Sequence, residues 1–214
     1  MTRLCPPLTA DEAAGVQRAC IRLLCERAFR VWPVRPTLVV SPDDSEDQFR
    51  ELVGPYIPLL QQGEGDLGER LARAASHSFD AGATELMIIG SDSPTIPEQR
   101  VIDAREALDD SDLVIGRCDD GGFYLLAIKR MHDDLFSEIE WSTERTADQT
   151  VARAKSIGMT VSEIAPWYDI DRVEDLARTA ADIRSAGNVD DFELLQTVES
   201  ALAAAKKRKA GTKK

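Results

Sequence analysis

The chain is poor in the residues that bind soft metals. It has two histidines, His77 and His132, and four cysteines, Cys5, Cys20, Cys25 and Cys118. No two cysteines form a Cys-x-x-Cys pair, so the spacing of a zinc site is absent. Cys20 and Cys25 fall within an amphipathic run and read as small apolar fillers. No apolar stretch approaches a membrane span, which excludes a helical membrane protein, and no signal peptide opens the chain. The expectation is a reduced, cytoplasmic protein. Positive charge is also scarce. Net charge is −12, and the last nine residues supply six bases and no acids, leaving −18 on the rest. A body that acidic repels a nucleic-acid backbone, so the main body is not expected to bind nucleic acid. The basic tail reads as a solvated, frayed end.

What is present suffices for a core. Apolar residues make up 43% of 214, enough for a sizeable α/β domain. Thr9-Ala-Asp-Glu12 is a capping box, opening a helix over 9–29 that Pro33 and Pro36 end. A β-branched run at 37–40 predicts a parallel-type strand. A helix over 45–52 and a short strand over 56–60 follow. Asp66-Leu-Gly-Glu69 is a second capping box, starting a helix to about 81. Residues 85–89 predict a strand and 97–108 a helix with proline in its first turn. Two strands, 113–116 and 123–128, have no helix between them, so one is expected to run antiparallel. Ser142 or Thr143 is expected to cap a helix reaching Ile157, ended by Gly158. A strand over 160–164, a helix over 172–186 stopped by Gly187, and a last helix over 190–206 complete the pattern. Alternating strands and helices predict a three-layer α/β fold: a mostly parallel sheet with helices on both faces. The expected division is a main domain at 1–188 and a C-terminal helix with basic tail at 189–214.

Several segments could carry chemistry. The run Met87-Ile88-Ile89-Gly90-Ser91-Asp92-Ser93-Pro94 delivers a carboxylate just past the carboxyl end of a buried strand, the edge where open α/β sheets bind ligands. Asp92 either caps the helix that follows or holds a divalent cation. Asp119-Asp120-Gly121-Gly122 is a tight turn or a close backbone approach to a ligand. In Trp167-Tyr168-Asp169-Ile170-Asp171, carboxylates at i and i+2 of an extended segment share a face. Either could join Asp92 in a site of hard oxygen ligands suited to magnesium or manganese, and Asp171 could equally cap the next helix. The loop Gln62-Gly63-Glu64-Gly65-Asp66, followed by Arg70, suits anions by its glycines and helix start but carries opposing acids. Trp141 is a core anchor or a shelf for a base or sugar.

The order of these motifs resembles that of one family. Thr2-Arg3-Leu4, Gln62 with Leu67-Gly68-Glu69-Arg70, Gly90-Ser91-Asp92-Ser93-Pro94, Asp120-Gly121-Gly122-Phe123-Tyr124-Leu125, Trp141-Ser142-Thr143 and Asp169-Ile170-Asp171 with Asp175-Leu176 follow the glycosyltransferase-A-like family known as radical-SAM/selenodomain-associated transferases. That family is related to the nucleotidyltransferases that build molybdopterin and deazaflavin cofactors. The resemblance spans residue 2 to about 180. It implies a nucleotide-diphospho-sugar transferase (GT-A) fold acting on a nucleotide-sugar or an NTP, with Mg2+ or Mn2+ as cofactor and a small-molecule acceptor. It implies Asp92 and Asp171 as metal ligands, and Thr2, Arg3, Gln62, Arg70 and Ser91 as nucleotide or phosphate contacts. Asp120, Gly121, Gly122 and Trp141 would line the acceptor or sugar pocket, with Asp120 orienting the acceptor. The alternatives are a nucleotidyltransferase or a truncated, non-catalytic binding protein. The family begins with an apolar strand and a Gly-x-x-Lys-Thr-Arg-Leu loop. Here Met1 stands in the lysine's place, so the usual first strand is lacking and the expected start lies upstream.

Overall fold

A computed structural model describes residues 1–31, 36–188 and 191–211. Pro33 and Asp190, both used in the sequence reading, lie outside the described residues. The described chain forms α1 (Ala10–Val31), β1 (Leu38–Val40), α2 (Glu46–Val53), β2 (Leu59–Gln61), α3 (Leu67–Asp80), β3 (Leu86–Ile89) and α4 (Glu98–Asp110). These are followed by β4 (Leu113–Cys118), β5 (Phe123–Ile128), α5 (Thr146–Ser156), β6 (Val161–Trp167), α6 (Val173–Ala186) and α7 (Phe192–Gly211). They fall into two compact units: one of residues 1–30, 91–95 and 169–214, the other of 31–90 and 96–168.

The larger unit holds the strands. β1 pairs in parallel with β2, and a four-stranded sheet runs in the order β3-β5-β4-β6. β5 is antiparallel to both β3 and β4, while β4 and β6 are parallel, so β3, β4 and β6 share one direction. The strand-to-strand turn at 119–122 thus produces the one reversal expected. Alternation along the strands assigns the faces. Leu113 and Ile115 of β4 and Leu126 and Ile128 of β5 pack with Ala75 of α3 and Ala147, Val151 and Ala154 of α5. Val114, Leu125 and Ala127 pack on the opposite side with Ala104 and Leu108 of α4. This sheet therefore lies between helices on both faces.

The smaller unit is helical. Leu4, Val16, Cys20 and Leu23 from the first 23 residues share a core with Ile170, Leu176, Ala180 and Ile183, and with Leu194, Val198 and Ala201 of α7. Local signals explain the helix ends. The Thr9 amide donates to the Glu12 carboxylate at 2.8 Å, and the Glu12 amide to Thr9 Oγ1 at 3.3 Å, a reciprocal cap. Asp66 and Glu69 do the same for α3, at 2.8 and 2.9 Å. Gly187 ends α6 in the left-handed region at φ 66°.

Three sequence expectations change. The strand expected at 56–60 forms at Leu59–Gln61, because Tyr56 is 73% exposed and the pairing with β1 starts past Pro58. Ser142 does not cap α5, and Thr143 stands one turn ahead of its start, its Oγ1 accepting from the Arg145 amide at 3.3 Å and its amide donating to Thr146 Oγ1 at 3.2 Å. The helix begins at Thr146, where the Ala147 amide donates to the Gly121 carbonyl at 2.9 Å and Thr146 Oγ1 contacts the Thr143 carbonyl at 2.9 Å. The basic tail is not frayed over its described part: α7 continues to Gly211, Arg208 grips Glu12 through two nitrogens at 2.7 and 2.9 Å, and Lys209 reaches Glu174 at 3.7 Å.

Candidate functional site

β3 ends at Ile89, and the Gly90 amide still donates to the Tyr124 carbonyl of β5 at 3.0 Å. Residues 91–95 then leave the sheet and pack within the helical unit. There the Ile170 amide donates to the Asp92 carbonyl at 2.8 Å. That bond brings the backbone at Asp92 beside the Asp169-Ile170-Asp171 segment, joining positions 78 residues apart. Asp92 and Asp171 are both partly buried. The Cys20 thiol is pushed up, first by burial and next by the negative charge of Asp92, which places that carboxylate within electrostatic reach of α1. Burial likewise pushes the Cys25 thiol up, to about 11, so both cysteines behave as the inert fillers expected.

The capping alternatives for the two aspartates do not hold in the form expected. α4 starts after Pro97, with no side chain bonded at its cap. At α6, Asp175 supplies the cap, its carboxylate accepting from the Arg172 amide at 2.6 Å and the Asp171 amide at 3.1 Å. The Asp171 carboxylate instead pairs with Arg3, whose side chain is 58% exposed against 23% for Asp171. Arg3 sits in a short 3-10 turn, Thr2–Leu4, anchored by fully buried Leu4. The side chain of Thr2 lies outside the described part of the structure. Ser91 is partly buried at the start of the same segment.

The remaining candidate residues belong to the sheet-containing unit. Arg70 bonds Gln62 Oε1 at 3.3 Å and the Gly65 carbonyl at 2.9 Å, and Arg73 holds the carbonyls of Gln62 and Glu64. The two arginines thus fold the glycine loop, with its acids Glu64 and Asp66, back on α3. Asp120 is exposed, and its Oδ1 accepts from the Gly122 amide at 2.8 Å, closing an Asx turn. Gly121 has φ 88°, and a Cβ there would run into the Glu144 backbone carbonyl. The turn is therefore shaped by packing against the start of α5. Trp141 lies edge-on to Phe123 with ring centres 6.5 Å apart, and 6.3 Å from Phe136. Its indole nitrogen occupies the space a Cβ on Gly68 would need. Those contacts are those of a core anchor.

Sequence reading missed two charged clusters. Arg27 donates to the Pro94 carbonyl at 2.8 Å and to Asp191 Oδ2 at 2.7 Å, an ion pair 164 positions apart with side chains 13% and 1% exposed. Arg117 bridges Glu163 at 2.7 Å and Asp148 at 2.8 Å, which pulls the Glu163 carboxyl below its usual range. Neither has a local sequence signature, since each joins residues from different elements.

Residues 24–143 match DUF2064, a family described as uncharacterized proteins conserved in bacteria, and the chain belongs to that family. No curated protein matches it. The fold is a mixed α/β arrangement of helices and sheet matching a Desulfovibrio desulfuricans G20 protein provisionally named a nucleotide-diphospho-sugar transferase. That match has TM-score 0.81 and 26% identity, over 97% of this chain and 90% of the other. Two further structures share the fold. One is a 4-diphosphocytidyl-2C-methyl-D-erythritol synthase from Anaerococcus prevotii DSM 20548, with TM-score 0.57 and 14% identity over 77% of this chain and 89% of the other. The other is the bifunctional IspDF of Campylobacter jejuni, with TM-score 0.55 and 10% identity over 74% and 46%. No described helix is long and apolar enough to cross a membrane.

Proposed function

We propose that this protein is a divalent-cation-dependent transferase that moves a glycosyl group from a nucleotide-diphospho-sugar to a small acceptor. The observation that carries this reading is the Ile170–Asp92 hydrogen bond, which sets two carboxylate-bearing segments side by side. The likeness to the D. desulfuricans protein over nearly the whole chain supports the donor class. Asp92 and Asp171 offer the hard oxygen ligands that Mg2+ or Mn2+ prefer, and both are accessible enough to exchange ligands. A cation bound there would neutralise charge on the leaving diphosphate. Arg3 is the group that prepares the site. Its exposed guanidinium now neutralises Asp171, and on donor binding it turns to a phosphate oxygen, freeing that carboxylate. Thr2, Ser91, Gln62 and Arg70 are assigned to the nucleotide on the resemblance. Asp120, fixed by its Asx turn, is assigned the acceptor hydroxyl, which it would orient by accepting its proton's hydrogen bond.

The test is ligand-dependent stabilisation. Nucleotide-diphospho-sugars with Mn2+ are expected to raise the melting temperature, as any ligand specific to the native state does. Asp92→Ala is expected to abolish that rise while leaving the unliganded transition in place. An NTP panel run in parallel identifies nucleotidyl transfer if NTPs alone stabilise. Equal shifts in wild type and Asp92→Ala would remove the metal role.

A further inference from the structure

The segment that carries Asp92 is fastened by a buried charge pair. Arg27 lies near the end of α1 and Asp191 just before α7, both in the helical unit with residues 91–95. The guanidinium is a planar fork, so its bonds to Asp191 Oδ2 and to the Pro94 carbonyl fix the two partners relative to each other. Pro94 is itself rigid, and the ring restricts Ser93 before it to extended conformations. Asp92 is therefore held from both sides: through its own carbonyl by Ile170, and two residues on by Arg27.

Stability alone explains this pair poorly. A buried ion pair gains little over well-packed apolar side chains of the same volume. The surroundings also leave polar atoms unsatisfied. Among the described residues, Ser93 Oγ and Asp191 Oδ1 have no hydrogen-bond partner, and both residues are only 1% exposed. Buried unpaired groups of this kind call for a specific reason. We propose that Arg27, oriented by Asp191, is a positioning residue that sets the direction of the Asp92 carboxylate toward its cation. This rests on the metal role assigned to Asp92 above.

Two variants and two measurements test it. Arg27→Lys keeps the charge opposite Asp191 but cannot fork to both acceptors. The double variant Arg27→Met/Asp191→Leu replaces the pair with apolar volume. The first measurement is Mn2+ binding by titration calorimetry, with the metal alone. We expect at least a tenfold weaker Kd in the double variant and an intermediate value in Arg27→Lys. The second is amide hydrogen exchange at Ile170, whose donor bond to Asp92 reports the segment's placement without any metal. Its protection is expected to fall at least tenfold while amides at Leu176 and Val198 keep theirs; a merely structural role would lower all three together. Should the double variant not fold, Arg27→Lys gives both readouts. Unchanged Mn2+ affinity in Arg27→Lys, alongside loss of affinity in Asp92→Ala, overturns the positioning role and leaves the metal site standing. Unchanged protection at Ile170 overturns it as well. A wild type that does not bind Mn2+ overturns the metal reading, and this proposal with it.

Discussion

At the residue scale, Gly121 shows how one position can decide between a turn and a binding loop. Its φ of 88° and the Glu144 carbonyl standing where a Cβ would go both demand glycine. Its own carbonyl then accepts from Ala147 and so starts α5. Gly121→Ala combines backbone strain with a clash against main chain, and is expected to cost about 1–3 kcal/mol. Denaturant unfolding should show this as a lower midpoint with unchanged slope. Sequence alone left the turn and the ligand approach open at this position. It could not have done better, because the deciding contact comes from a residue 23 positions away. The same holds for Trp141: its anchor and shelf readings diverge only once Gly68, Phe123 and Phe136 are seen around it.

At the element scale, ends that rest on local chemistry were readable and ends that rest on tertiary partners were not. The caps at Thr9–Glu12 and Asp66–Glu69 and the stop at Gly187 are written within four residues, and each forms as expected. The start of α5 depends on Gly121, and the extension of α7 to Gly211 on Glu12 and Glu174, so both boundaries moved. The α1–α7 link carries a pH signature. Bonding to Arg208, then to the Thr9 amide, holds the Glu12 carboxyl down at about 2 from an ordinary 4.5. A carboxyl lowered on folding stabilises the native state above its unfolded value and loses that contribution as pH falls through the folded one. Between about pH 4.5 and 2 the wild type should therefore lose stability faster than Arg208→Met. Parallel acid titrations followed by circular dichroism measure the difference, and identical curves would refute it. Raising the salt concentration should also shrink the gap, since the pair lies at the surface.

At the scale of the whole molecule, the fold class followed from rhythm. Strand–helix alternation, broken once at 119–122, specifies a sheet covered on both faces with one reversed strand, and the β3-β5-β4-β6 sheet has that form. Of the candidate metal site, the two aspartates were legible because each follows a strand-like run in a short motif. That their segments run side by side was not, since this depends on a single main-chain bond between Ile170 and Asp92. Arg27 and Asp191 were invisible for a related reason: a buried ion pair looks, in sequence, like two ordinary surface charges. The acidic body remains a constraint on any partner, disfavouring a bare polyanion.

β3 stands at the margin of its four-stranded sheet, and among the described residues no strand pairs with its outer side. All four of its residues, Leu86 to Ile89, are apolar and only partly buried. Such a margin is a template for a neighbouring polypeptide, and it carries no lysine or proline to discourage one. Crowded preparations should accordingly scatter light on warming before their helices melt, at an onset that falls as concentration rises.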